Sequence, residues 1–153
     1  MKSIIFAALL LMGCTVTSFA QKVKQANVPA AVLQGFKAKF PTVQKGRWEK
    51  ENATEFEVNF KQNGQSYSAL FSPEGKWLET EQEIKAANLP EAVRTSMAKD
   101  FNGYKAEEIE KVETADKGLM YEMELEKGKE TLEVQFSPEG SVLSKKVEKG
   151  KKD

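Results

Sequence analysis

The chain has 153 residues, with 23 basic and 23 acidic side chains, no His and one Cys. The absence of His excludes Ser-His-Asp and Cys-His catalysis and His-ligated metal sites, and a net charge of zero argues against general nucleic-acid binding. Hydrophobic residues make up 40% and charged residues 30%, which is typical of a soluble globular protein. We therefore expect no cofactor, no bound metal, no nucleic-acid partner and no transmembrane span.

Residues 1–20 have the pattern of a secretory signal peptide. Lys2 gives a positive start, residues 4–12 are an unbroken apolar run, and small residues lie three and one positions before Gln21. The run is too short to cross a bilayer, which needs about 20 apolar residues. We expect signal-peptidase cleavage between Ala20 and Gln21, which would place the mature protein in the periplasm or outside the cell.

Cys14 leaves a second interpretation of this segment open. It follows Leu-Met-Gly, which is similar to the lipobox of bacterial lipoproteins, so that lipidation at Cys14 would anchor the protein to a membrane. Cleavage after Ala20 instead leaves a mature chain with no Cys, and therefore without disulfide or thiol chemistry. We predict the unlipidated form.

The rest of the chain contains an internal repeat. Residues 27–32 (NVPAAV) recur as residues 88–93 (NLPEAV), and the motif SPEG at residues 72–75 recurs at residues 137–140. Matched blocks in the same order indicate duplication. We assign a first repeat to residues 21–86 and a second to residues 87–148, followed by a Lys-rich tail, residues 149–153, that we expect to be disordered.

Each repeat begins with a predicted helix. Asn27 and Asn88 are favourable N-cap residues, and a proline follows two positions later. Apolar side chains then recur at helical spacing. Pro41 ends the first helix and Asn102-Gly103 ends the second.

Four predicted strands follow each helix. In residues 55–61, Phe56, Val58 and Phe60 alternate with charged and polar side chains, and Asn63-Gly64 is typical of a type I′ hairpin turn. The predicted fold class is α+β, a tandem repeat of one helix plus a four-stranded antiparallel sheet, with the helices packed on one sheet face. The side chains expected between helix and sheet are Phe36, Phe60, Met97 and Leu125.

These motifs resemble the PepSY-like family. The resemblance rests on Phe36-x-x-x-Phe40-Pro41, on Trp48 in the next strand and on the segment FSPEGKWLET at residues 71–80. Members are small secreted envelope proteins of bacteria, also described as beta-lactamase-inhibitor-like. The family fold is similar to that of an inhibitor that binds its enzyme through an open sheet face. PepSY domains proper are associated with restraining peptidases. The resemblance implies a non-enzymatic module that binds a protein or peptide.

The sheet face away from the helices is the predicted partner-binding surface. Residues 21–86 carry ten basic and eight acidic side chains, whereas residues 87–153 carry twelve and fifteen. The less charged first repeat suits the centre of an interface, and the Glu-rich second repeat suits a polar rim that steers association. Because neighbours on a strand face opposite sides, either Trp77 or Leu78 is exposed on the first repeat, and Trp77 is either a hot spot of the interface or a core residue. The predicted contact residues are Trp77, Leu70, Glu57, Glu122, Glu124 and Glu126.

Three alternatives remain open at this point. The glutamates of the second repeat could form a weak Ca²⁺ site, although no Asp-rich calcium loop is present, and a solvated sheet face explains them more simply. A carboxylate pair could hydrolyse glycosides, but the sequence gives no sign of a cleft or of a raised pKa. The protein could also be a structural or accessory envelope protein, lipid-anchored through Cys14, with no inhibitory activity.

Overall fold

The computed structural model describes residues 21–148. The predicted signal peptide with Cys14, the bond after Ala20 and the tail at residues 149–153 lie outside this range. The elements in chain order are β1 (Gln21–Val23), a 3₁₀ turn (Gln25–Asn27), α1 (Ala30–Lys39), β2 (Gly46–Asn52), β3 (Glu55–Gln62), β4 (Gln65–Phe71), β5 (Trp77–Glu83), a second 3₁₀ turn (Ala86–Asn88), α2 (Glu91–Asp100), β6 (Lys105–Thr114), β7 (Gly118–Lys127), β8 (Glu130–Phe136) and β9 (Val142–Glu148).

All nine strands form one antiparallel sheet in the order β1 to β9. The predicted fold class, a tandem repeat of a helix plus a four-stranded sheet, is therefore wrong, because strands dominate and the α-helices are only two ten-residue segments. The two halves join where β5 pairs with β6, with Glu81 opposite Val112. This pairing satisfies the backbone edge that a separate four-stranded sheet would leave open on β5.

The helices begin later than the sequence predicted. Asn27 and Asn88 end the two 3₁₀ turns, and the N-cap positions are held by Pro29 and Pro90 in extended conformation. The N–H of Val28 donates to the carbonyl of Gln25 at 3.1 Å. This local bond closes the 3₁₀ turn, and the helix starts only after the proline, whose missing N–H is not needed there.

Both helices pack on the same side of the sheet, which we call the covered face. Phe36 of α1 and Phe60 of β3 are buried there, and so is Leu125 of β7, as predicted. Met97 of α2 is only half-buried. Large-to-small changes among the fully buried side chains of this kind cost about 2–5 kcal/mol of stability.

Turn motifs behave as the sequence indicated. Asn63 and Gly64 have φ values of 52° and 80°, which confirms the predicted I′ geometry of the β3–β4 hairpin. Gly75 of the SPEG motif has φ 82°, and a Cβ at this residue would lie 2.1 Å from the carbonyl oxygen of Ala31. The SPEG turn therefore requires glycine because it packs directly against the backbone of α1.

Candidate functional site

The side of the sheet opposite the helices, here the uncovered face, is dominated by glutamate. Strand register places these residues in alternation with the core side chains, so that their carboxyl groups point away from both helices. The glutamates of the uncovered face include Glu49, Glu55, Glu57, Glu79, Glu81, Glu83, Glu108, Glu110, Glu122, Glu124, Glu126 and Glu133.

A cavity of about 260 Å³ opens on this face where the two halves of the sheet meet. It lies over β3 to β8 and is bordered at one end by the β6–β7 hairpin. Its apolar wall consists of Leu70, Leu78, Val112 and Met120, and its charged groups are those of Glu55, Glu79, Asp116 and Glu122 together with Lys76 and Lys117. No sequence pattern indicated a cleft, because the cavity is formed by residues from both halves.

Trp77 does not lie on the uncovered face. It packs against the core of the covered face, with the ammonium of Lys39 3.4 Å from its ring centroid and its indole N–H donating to Thr80 at 2.8 Å. A bulge in β5 is the reason, since Leu70 pairs with Glu79 but Phe71 pairs with Trp77, so that Leu78 is an extra residue. Leu78, and not Trp77, therefore faces the cavity. The effect of Trp77 on partner binding stays untested.

Glu57 and Leu70 are in register on the uncovered face, as predicted, but both are buried. Glu57 is 1% exposed; its Oε1 accepts a hydrogen bond from Asn59 Nδ2 at 2.7 Å, and its Oε2 has no partner. Burial raises the pKa of Glu57 to about 7, with smaller contributions from nearby acidic groups including Glu81, while the bond from Asn59 opposes the shift.

Two further carboxyl groups, those of Glu79 and Glu81, lie on β5, which is separated from Glu57 on β3 by strand β4. Glu81 is buried and accepts a hydrogen bond from Ser68 Oγ at 2.9 Å. Burial raises the pKa of Glu79 strongly, and its hydrogen bond with Glu81 and the surrounding negative charge act in the same direction. We call Glu57, Glu79 and Glu81 the carboxyl cluster. Within residues 21–148, the ion pairs are Lys39–Glu113, Lys105–Glu107 and Lys146–Glu133, none of which includes the cluster.

The uncovered face of the second half contains its own polar partners. Glu122 accepts a hydrogen bond from Gln135 Nε2 at 2.7 Å, and Lys146 Nζ lies 2.9 Å from Glu133 Oε1. Burial still raises the pKa of Glu122 to about 7, although Gln135 and Lys146 both lower it. Glu124 is half-buried opposite Glu133, and only Glu126 of the three predicted rim residues is exposed.

Metal-binding groups and membrane-spanning helices are absent from the described residues. Residues 21–148 contain no group of three or more His, Cys, Asp or Glu side chains that could hold a metal ion. In the same range, no helix has the length and apolar character needed to cross a membrane.

Comparison with known proteins gives the family. The family model described as "Putative beta-lactamase-inhibitor-like, PepSY-like" matches residues 15–67 and 54–144. No curated protein matches the chain. Similar solved structures include a DUF2874 family protein from Bacteroides uniformis, with 18% identity, TM-score 0.72 and coverage of 78% of this chain and 88% of that one.

Two more structures, both from Bacteroides, have the same fold. A BLIP-like protein from Bacteroides fragilis has 23% identity and TM-score 0.71, and covers 78% of this chain and 86% of its own. A protein from Bacteroides eggerthii described as a "putative periplasmic" protein has 19% identity and TM-score 0.71, with coverage of 78% and 88%. At these identities the likeness concerns the fold. Because the family model spans most of the sequence, the chain belongs to the PepSY-like, beta-lactamase-inhibitor-like family.

Proposed function

We propose that the protein is a non-enzymatic periplasmic module that binds another protein or a peptide through its uncovered face. The observation that carries this proposal is the cavity between the two halves, where four apolar side chains border half-buried and exposed carboxyl groups and two lysines on a face with no covering helix. An apolar centre with a polar margin is the usual composition of a protein interface.

The dimensions of the cavity favour a protein or peptide over a free small molecule. Its volume of about 260 Å³ lies below the range of about 300–1,000 Å³ typical of small-molecule pockets. One inserted side chain would fit, and the surrounding strands offer the wide surface that a stable interface needs.

The comparisons support the same proposal. The name "BLIP-like" given to the Bacteroides fragilis structure associates this fold with inhibition by binding, and the Bacteroides eggerthii protein suggests a periplasmic location. The predicted signal peptide, with cleavage before Gln21, is consistent with that location. A structural or accessory envelope role remains the competing proposal and would require no specific partner.

A pull-down from periplasmic extract with the mature protein, residues 21–153, tests the proposal. We expect a specific protein or peptide to be retained, and Leu78→Asp to abolish retention because it buries a charge in the interface centre. Leu119→Asp is the matched control, since Leu119 is 36% exposed and lies outside the cavity lining. Equal retention by wild type and Leu78→Asp, or no specific retention at all, would contradict the proposal.

A further inference from the structure

Two buried carboxyl oxygens within residues 21–148 have no hydrogen-bond partner, Glu57 Oε2 in the first half and Glu133 Oε2 in the second. Glu133 has the ammonium group of Lys146 on its other oxygen, whereas Glu57, which is 1% exposed, has only the amide of Asn59. A buried acceptor left without a donor costs about 1–3 kcal/mol. Such a group indicates either a cost retained for function or a donor that arrives from outside the chain.

The second half shows how an equivalent position is satisfied internally. Strand register aligns the pair Glu57–Leu70 on β3 and β4 with the pair Glu122–Gln135 on β7 and β8. Glu122 accepts a hydrogen bond from the Gln135 amide at 2.7 Å. Leu70 has no donor, and this difference explains why Glu57 Oε2 is left without a partner.

The same alignment identifies a missing cation. Ser68 and Glu81 pair on β4 and β5 as Glu133 and Lys146 pair on β8 and β9. Lys146 binds Glu133 and lowers the pKa of Glu122, whereas Glu81 stands at the position of Lys146 and raises the pKa of Glu57. The first half thus has a negative charge where the second half has an ammonium group.

We propose, as an extension of the proposed function, that the carboxyl cluster binds a lysine or arginine side chain supplied by a partner protein, which compensates the cluster as Lys146 compensates Glu133 in the second half. The amino or guanidinium group would donate to Glu57 Oε2 and to Glu81. Arg47 lies on the same face of the neighbouring strand β2 but is exposed and forms no ion pair within residues 21–148. Within residues 21–148, therefore, no ion pair neutralises the cluster.

The surroundings of the cluster fit a side chain better than a free cation. Leu70 lies in register between Glu57 and Glu79, and the apolar cavity adjoins it. The long aliphatic stem of lysine or arginine packs on apolar surface while its charged end reaches carboxyl groups. Charge-assisted hydrogen bonds in a buried setting are about twice as strong as neutral ones.

Selection of displayed random peptides on the immobilised mature protein tests this inference. We expect enriched peptides to share a Lys or Arg flanked by apolar residues. A synthetic peptide from this set, with its basic residue replaced by norleucine, keeps the aliphatic stem without the charge. We expect this replacement to weaken binding by at least about tenfold, as loss of a buried charged contact should.

Two variants locate the contact. Glu57→Gln keeps the shape but cannot ionise when a cation binds, and we expect it to weaken binding of the same peptide by at least about tenfold. The double change Ser68→Glu with Glu81→Lys copies the Glu133–Lys146 pair of the second half into the first, and we expect it to abolish binding because an internal ammonium then fills the site. Glu91→Gln, on an exposed residue of α2, removes the same charge as a control and should leave binding unchanged.

The outcomes separate this inference from the proposed function. Enriched peptides without a basic residue, or binding that survives both cluster changes in proteins whose circular dichroism is unchanged, would overturn the inference while leaving the binding module in place. Failure to enrich any peptide, together with no specific retention from periplasmic extract, would contradict both.

Discussion

The two halves of the sheet share an element order but fill the covered face differently. In the first half, the ring of Phe36 lies 5.3 Å from Trp48 and 5.4 Å from Phe60, both in edge-on contact. In the second half, Met97 and Ile109 take the corresponding places and border a groove of about 330 Å³. The first helix is therefore held by interlocking aromatic rings, and the second by smaller and looser contacts.

The uncovered face shows the opposite difference. Each half has one buried carboxyl oxygen without a partner, on Glu57 and on Glu133, but only Glu133 also has an ammonium group, from Lys146. The half with the tighter core is thus the half whose buried carboxyl group lacks a cation. We infer that the aromatic core of the first half offsets the cost of a buried carboxyl group that is retained for binding.

The largest expected effect tests the difference between the two helix contacts. Phe36→Ala should lower the free energy of unfolding by about 3–5 kcal/mol, because it empties the centre of the aromatic cluster. Met97→Ala should cost less than about 2 kcal/mol, since Met97 is already half-exposed. Urea unfolding followed by circular dichroism measures both. Equal losses would show that the two helices are held equally tightly.

The next effect concerns the pH dependence of stability. The pKa of Glu57 is about 7 in the folded protein against a usual value of 4.5, so the folded protein keeps a proton that the unfolded chain releases between these values. The free energy of unfolding should therefore fall as pH rises from about 4.5 to above 7, by up to about 3 kcal/mol for this group. Glu110, with a pKa raised to about 8 by burial, adds to the same trend.

Glu57→Gln separates the contribution of this residue. The variant should be more stable than wild type by about 2–3 kcal/mol at pH 8, and should equal it at pH 4, where both states of Glu57 are protonated. Glu91→Gln should give the wild-type pH profile. Thermal unfolding across this pH range measures the difference, and a Glu57→Gln profile parallel to that of wild type would show that Glu57 is ionised in the folded protein.

A smaller effect tests the internal cation of the second half. Lys146→Met removes the ammonium from the buried carboxyl of Glu133 and should cost about 1 kcal/mol, because Lys146 itself is half-exposed and water screens part of the pair. Lys145→Met is the matched control, since Lys145 lies on the opposite side of β9 and is exposed. Chemical denaturation of the two variants at pH 7 makes the comparison. If Lys146→Met lowered the free energy of unfolding no more than Lys145→Met, Lys146 would not stabilise the buried carboxyl of Glu133. The first half would then lack no cation that the second half needs.

Much of the strand pattern could be predicted from the sequence because its causes are local. The alternation around Val58 and the Asn63-Gly64 turn depend only on neighbouring residues, and both match the structure. The single sheet could not be predicted in this way, because the pairing of Glu81 with Val112 joins residues that are distant in sequence and lie in different halves. Duplication of the sequence left open whether the repeats form one sheet or two, and pairing of β5 with β6 produces one.

The candidate site was predicted in part, for equally physical reasons. Alternation placed Glu57 and Leu70 on the correct face, but a one-residue bulge at Leu78 reversed the phase for Trp77. Burial of Glu57 was not predictable, since it depends on neighbours from three strands. The difference between Leu70 and Gln135 was visible in the repeat itself and, with strand register, could have indicated the unsatisfied carboxyl.

The smallest expected effect concerns the groove beneath α2. It tests whether aromatic side chains explain why the helix of the first half is packed more tightly than that of the second. Met97→Phe introduces the residue found at the corresponding place, Phe36, beside a groove of about 330 Å³. It should raise the free energy of unfolding by about 0.5–1 kcal/mol, as cavity-filling changes do. Met97→Leu conserves volume and should change stability little, so it controls for loss of the flexible thioether. If Met97→Phe lowered stability by more than about 1 kcal/mol, the ring would be overpacking the groove, and the looser second half would reflect the position of α2 instead of the size of its side chains.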